Sequence, residues 1–241
     1  MNIHCRGIVV QQVRYSDTSL IVKIYTESSG MVSFMVRGAF KQGARFRPAL
    51  FMPLNLIEIV YTPKPNKDLQ FLDDLSIYQH LLQLRTNMQK NAIVLYVSEL
   101  LGKTIREHEA NPALFGFLFS SVQWLELIEG DFRDFHLYFS LELTRFLGFY
   151  PRLEGHGGLG YFDLTEGRFR DVAPAHAYFV GPPESAFFRA LCQPNPQAPG
   201  NFGLDNRLRR TLLQEILLYY RLHIPDFHDM KSPEVLRTVL S

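Results

Sequence analysis

The sequence predicts an α+β fold, a strand-built N-terminal domain followed by helices. Two observations carry this: apolar residues alternate with period two through about the first eighty residues, and beyond Gln79 they recur at helical spacing. A third is length, since 241 residues suffice for a sizeable core in one large domain or two to three small ones. The chain is 46% hydrophobic and 20% charged, ordinary values for a folded soluble protein and far from those of a disordered one.

RGIVVQQVRY and SLIVKIYT are rich in β-branched residues, and in the second Leu20, Val22 and Ile24 alternate with Ile21, Lys23 and Tyr25. The turn ESSG leads into MVSFMV, where Val32, Phe34 and Val36 alternate with Met31, Ser33 and Met35. LNLIEIVYT and, past TPKPNKD, LQFLDDLSIY complete five short strands. That number suits a small barrel or a sandwich; a five-stranded oligonucleotide-binding (OB) barrel fits, as does an SH3-like barrel. The paired carboxylates Asp73 and Asp74 are expected at a solvated bend.

In residues 87–105 Met88, Ala92, Leu95, Tyr96, Leu100 and Leu101 recur at helical spacing. Asn111 followed by Pro112 starts a second helix and Gly130 stops it. Asp131 is expected to cap a third, DFRDFHLYFSLELTRFL, which ends at Gly148 with Pro151 beyond. These three are expected to pack as a bundle. Residues 152–203 are irregular and rich in Gly and Pro, with a candidate hairpin in GYFDLTEGRFRDV. A helix over 205–223 and a short one in MKSPEVLRTVL close the chain. The domain division is therefore 1–79 and 80–241, the latter interrupted at 152–203.

Cys5 and Cys192 are too few for a disulfide framework or a four-thiolate zinc site, and they fit a reducing, cytoplasmic setting. The N-terminus lacks an apolar signal core, and the longest uncharged run, 110–125, reads as a buried helix rather than a membrane span. Phosphate-loop, GxGxxG, GxSxG and HExxH patterns are all missing, so no catalytic residue is assigned and no enzyme is expected. The glycine-dense GHGGLG follows no clear strand and reads as a surface turn. His223 and His228 are separated by Pro225 and have no third ligand nearby, so no metal or other cofactor is expected.

Charge is the remaining signal. The formal net charge is only +1, but residues 1–57 hold seven cations against Asp17 and Glu27, and no acid lies between Glu27 and Glu58. Within VRGAFKQGARFRPALFMP, Arg37, Lys41, Arg45 and Arg47 interleave with Phe40, Phe46 and Phe51, and Phe34 precedes them. Cations along a backbone and aromatic faces beneath bases are what a single nucleic-acid strand requires. The same residues also fit a plugged barrel with a solvated loop. Four phosphate contacts would give a salt slope of about −2.8 for a single strand. Arg207, Arg209 and Arg210 open the last helix, where the helix dipole disfavours cations, so an anion, a partner or an internal acid such as Asp205 must offset them.

The run RGIVVQQVRYSDTSLIVKIYTESSGMVSFMVRGAFKQGARFRPALFMPLNLIEI resembles the N-terminal domain of the RecO family of bacterial recombination mediators. The pattern is Gly7-Ile8-Val9, Tyr15 with Ser16-Asp17, Leu20 and Ile21-Val22, Thr26, Glu27 and Gly30, then Val36, Gly38-Ala39, Leu50 and Pro53. FLGFYP and YYRLHIP…KSPEVLRTVL are also similar to that family. Many members carry two cysteine pairs for zinc after FLGFYP, where this chain has PRLEGHGGLGYFDL, so it resembles a zinc-less member. The resemblance implies an OB barrel joined to a helical bundle, binding of single- and double-stranded DNA, and strand annealing. It also implies work with RecR, contact between the helical domain and the acidic C-terminal tail of single-stranded DNA-binding protein, and help in loading RecA recombinase. A cytoplasmic protein, nucleoid-associated when bound to DNA, is implied. On that reading Arg6, Arg14 and Lys23 join the loop cations on one DNA-binding surface with Phe40 and Phe46. A protein-interaction adaptor with incidental DNA contact, and an enzyme with a dispersed active site, are the other classes that fit.

Overall fold

The computed structural model describes residues 2–65, 67–106, 108–153, 160–193 and 200–240. The chain divides into two compact units, Met1–Leu127 and Ile128–Ser241.

In the first unit the strands are β1 (Ile3–Arg14), β2 (Leu20–Thr26), β3 (Gly30–Val36), β4 (Leu56–Tyr61), β5 (Leu69–Gln70) and β6 (Leu72–Gln79). They lie in the order β5-β3-β2-β1-β4-β6, antiparallel throughout except for β3 with β5. The alternation in the sequence becomes two faces. Leu20, Val22 and Ile24 point inward with Phe34, Val36, Val9, Ile57, Ile59 and Tyr61, and Phe34 meets Tyr61 edge-on at 5.1 Å. Residues 3–8 of β1 pair with β4, and residues 7–14 pair with β2. The two ladders overlap at Gly7, where an added Cβ would stand 2.6 Å from Ile24 Cγ2, so close packing demands the glycine.

The expected closed five-stranded barrel is corrected to an open six-stranded sheet. LQFLDDLSIY alternates like one strand but breaks at Phe71: Gln70 still pairs with Phe34 of β3, whereas Leu72 pairs with Tyr61 of β4. The chain thus passes from one edge of the sheet to the other across a single residue, and among the described residues no ladder joins β5 to β6. Asp73 and Asp74, expected at a bend, lie exposed within β6.

The change of period falls between β6 and α1 (Leu82–Thr86), but the compact unit continues through α2 (Met88–Thr104) and α3 (Pro112–Leu127). Asn111 Oδ1 accepts from the Leu114 amide, as the cap expected there requires, and Asn87 Oδ1 accepts from the Gln89 and Lys90 amides to cap α2. The first turn of α1 has no cap of its own; the Glu126 carboxylate on α3 accepts the Gln83 and Leu84 amides, each at 3.0 Å. Ser98 Oγ donates to Val10 O and ties α2 to the sheet. Among the described residues no helix is long and apolar enough to cross a membrane.

The second unit contains α4 (Phe135–Phe146), a small sheet of β7 (Tyr161–Asp163), β8 (Arg168–Arg170) and β9 (Phe179–Val180), then α5 (Glu184–Leu191), α6 (Asn206–His223) and α7 (Ser232–Val239). The expected hairpin is β7–β8, with Tyr161 opposite Arg170. Of the three helices expected over residues 87–148, α2 and α3 lie in the first compact unit and α4 in the second. The expected cap is corrected. Asp131 accepts from the Arg133 amide and pairs with the Arg133 guanidinium at 2.8 Å, which holds its carboxyl below the usual range. The helix begins three residues later, after Asp134.

Asp134 is the polar centre of this unit. Its carboxylate receives Arg209 Nε of α6 at 2.7 Å and the Phe202 and Leu204 amides at 3.0 and 3.4 Å. Arg209 also donates to Asn206 Oδ1 and Leu204 O, both at 2.7 Å. The two side chains are 2% and 5% exposed, so deleting one strands a buried charge. We expect Asp134→Ala to destabilise the second unit by about 3–5 kcal/mol in urea unfolding followed by circular dichroism. An unchanged midpoint would contradict this account of the pair.

Candidate nucleic-acid interface

Beyond β3 the chain leaves the sheet at Arg37 and turns where Gly38 (φ +70°) and Gly43 (φ +75°) adopt the left-handed region. Lys41 N donates to Gly38 O and Ala44 N to Lys41 O, and a 3-10 turn over Pro48–Phe51 returns the chain to the sheet. The four phenylalanines divide. Phe34 and Phe51 are fully buried, Phe46 is half-buried against the same core, and Phe40 stands 43% exposed. Of the loop rings Phe40 is the most exposed.

The cations divide as well. Arg6 meets Glu27 through Nε at 3.0 Å and Nη2 at 2.6 Å, and its guanidinium lies 5.0 Å from the Phe119 centroid and 5.6 Å from that of Phe115. This pairing is the main cause holding Glu27 below the usual carboxylate range. Arg14 reaches Asp17 at 3.4 Å and lies over Phe40, and Arg45 reaches Asp74 at 2.8 Å and lies over Phe46. Among the described residues Lys23, Arg37, Lys41 and Arg47 have no carboxylate partner; Lys23 is half-buried on β2 and the other three are exposed.

The loop between β4 and β5 brings further residues that sequence reasoning passed over. Lys64 Nζ and Arg37 Cζ lie 4.9 and 4.8 Å from the centroid of Phe71. Beside them Met35, Arg37, Lys67, Leu69 and Phe71 line a groove of about 380 Å³, with Asp68 as its one acid. Buried Gln70 holds this loop: its Oε1 accepts the Lys64 amide at 2.8 Å, and its Nε2 donates to Lys67 O at 2.6 Å and Lys64 O at 3.2 Å. The sequence signal was TPKPNKD itself, two lysines stiffened by two prolines.

In the second unit Asp205 Oδ1 accepts from the Leu208 amide and caps α6, and Arg209 is consumed by Asp134 inside the fold. Arg207 and Arg210 remain exposed. Arg210 borders a cavity of about 130 Å³ between α6 and α7, floored by Leu213, Leu217, Leu236 and Leu240. His136 lies against it, its pKa lowered to about 3 by burial and, secondarily, by Arg209. His223 Nε2 is 2.9 Å from Leu164 O and its ring stacks on Phe149. Residues 154–159, which contain most of GHGGLG, lie outside the described residues.

Residues 1–80 match the family model for the recombination protein O N terminal domain, and residues 85–233 match that for the recombination protein O C terminal domain. The DNA repair protein RecO of Bacteroides fragilis is 37% identical over 232 residues, covering 96% of this chain and 96% of that protein. Those of Phocaeicola vulgatus and Azobacteroides pseudotrichonymphae are 33% and 31% identical, with coverage of 98% and 97% on both sides.

Gln70 supplies a direct test of the loop geometry. Gln70→Ala removes all three bonds, so the Lys64 amide should exchange with solvent markedly faster while the β1–β2 ladder keeps its protection, as read by hydrogen exchange. Unchanged exchange at Lys64 would show that the prolines alone hold the loop.

Proposed function

The chain belongs to the RecO family, and from that premise we propose that it is a non-catalytic mediator of DNA repair and recombination. It binds single- and double-stranded DNA, anneals complementary strands and helps load recombinase onto DNA coated with single-stranded DNA-binding protein. The observation that carries the DNA-binding part is a group of cations on the sheet and its loops that have no carboxylate partner among the described residues: Lys23, Arg37, Lys41 and Arg47, joined by Lys64 and Lys67. Cations of this kind neutralise phosphates and release counterions, and annealing is opposed mainly by repulsion between two such backbones. No bond is made or broken in this work. RecR and, indirectly, RecA are proposed partners on the strength of family membership.

The cavity between α6 and α7 supports the contact with single-stranded DNA-binding protein. Its apolar floor takes one side chain of about benzene size, and Arg210 at the rim is a cation with no carboxylate partner among the described residues. An acidic peptide ending in an apolar residue matches both features. A pure adaptor role draws support from the three cations already engaged by acids, Arg6, Arg14 and Arg45.

Annealing and DNA binding across a salt series decide between these readings. Lys41→Ala with Arg47→Ala should flatten the single-strand salt slope by about 1.4 and slow annealing. An unchanged slope and rate would favour the adaptor. For the cavity, a fluorescently labelled acidic peptide with an apolar C-terminal residue should bind, and Leu217→Asp or Arg210→Glu should weaken it severalfold. Equal binding by both variants would remove the peptide from this site.

A further inference from the structure

We propose that Phe71 is a base-stacking platform for single-stranded nucleic acid, with Arg37, Lys64, Lys67 and Lys23 as the phosphate contacts around it. This rests on the nucleic-acid reading above and locates the strand on the outer face of β2, β3 and β5, beside the basic loop.

Register puts these residues together. Ser33 pairs with Lys23 on one side and with Leu69 on the other, so these three side chains share a face. Two residues along β3 from Ser33 comes Met35, and two further Arg37; two beyond Leu69 comes Phe71. The result is an apolar floor of Met35, Leu69 and Phe71 edged by cations, which is the composition of a single-strand groove. Phe71 is half-buried, and it stands at the break between β5 and β6, where it is not spent in a ladder.

The charge around the ring is uncompensated. Arg37 and Lys64 both lie within 5 Å of its centroid, and neither has a carboxylate partner among the described residues. Asp68 is the one acid lining the groove, against Arg37 and Lys67 there and Lys64 over the ring. Holding three cations around one acid raises the free energy of the unbound state, and a phosphate relieves it. Gln70 keeps the loop that carries Lys64 and Lys67 in place before any ligand arrives, which lowers the ordering cost of binding. On binding, a nucleobase takes the position over Phe71 that Lys64 holds in the free protein, and the cations move to the flanking phosphates.

The test compares a labelled oligo(dT) with an abasic oligonucleotide of the same length and charge, using the full chain. Phe71→Ala should weaken oligo(dT) binding by about tenfold, the scale of one stacked base, and leave abasic binding unchanged. Phe71→Trp should retain affinity, and its emission should be quenched by oligo(dT) but not by the abasic strand. This second variant keeps an aromatic ring in the sheet, so the test does not hang on the alanine variant folding. Equal loss on both oligonucleotides, or no differential quenching, would overturn the proposal and show a ring that only seats its cations. In that event the salt-slope effect of Lys41 and Arg47 still stands or falls by itself. Failure of the unaltered protein to bind either oligonucleotide would overturn the nucleic-acid reading itself.

Discussion

Strand β1 is hydrogen-bonded along both edges, to β4 over its first half and to β2 over its second, and it irregularly shifts register between Val9 and Gln11 to serve both. Everything else in the first unit hangs on that double pairing. Val9 bonds through its amide and carbonyl to Asn55 and Leu54, which anchors the returning end of the basic loop. Val10 turns its carbonyl to Ser98 and so seats α2 on the sheet. A bulge in a strand of this kind bends it and increases its twist.

Magnitudes decide which cations are available to a polyanion. Exposed ion pairs contribute about 0–1 kcal/mol, so Arg14–Asp17 and Arg45–Asp74 hold their arginines weakly and a phosphate competes with them on equal terms. Arg6 differs, because a two-point contact with Glu27 combines with aromatic rings packed against its guanidinium. Its work is to join β1 to α3 within the first unit. Arg209 is further from availability still, being buried and committed to four acceptors.

Much of the fold was legible where the information is local. Period-two alternation located β2 and β3, and Asn111 announced its helix because a cap needs only its own next turn. Two carboxylates only three residues apart, Asp131 and Asp134, were not separable in the same way. The choice between them is made by Arg209, far along the chain, which draws Asp134 inward. The break at Phe71 was equally hidden, since a strand that changes partner keeps its alternation. At the interface the basic loop could be seen as composition, but not which of its phenylalanines were core; Phe51 and Phe40 differ in burial and not in local pattern. Lys64, Lys67 and Phe71 converge with Arg37 only through the parallel β3–β5 pairing, a long-range contact that spacing does not encode.

The two outer strands have a consequence for how the first unit meets other molecules. β5 offers only two residues of backbone, and β6 carries exposed Asp73 and Asp74 along its length. Short and acid-studded margins of this kind discourage another chain from adding itself to the sheet. Strand addition, one of the commonest ways for a β-rich domain to capture a peptide, is therefore poorly served here. Recognition by this unit falls to side chains and loops, and the same margins guard it against self-templated aggregation.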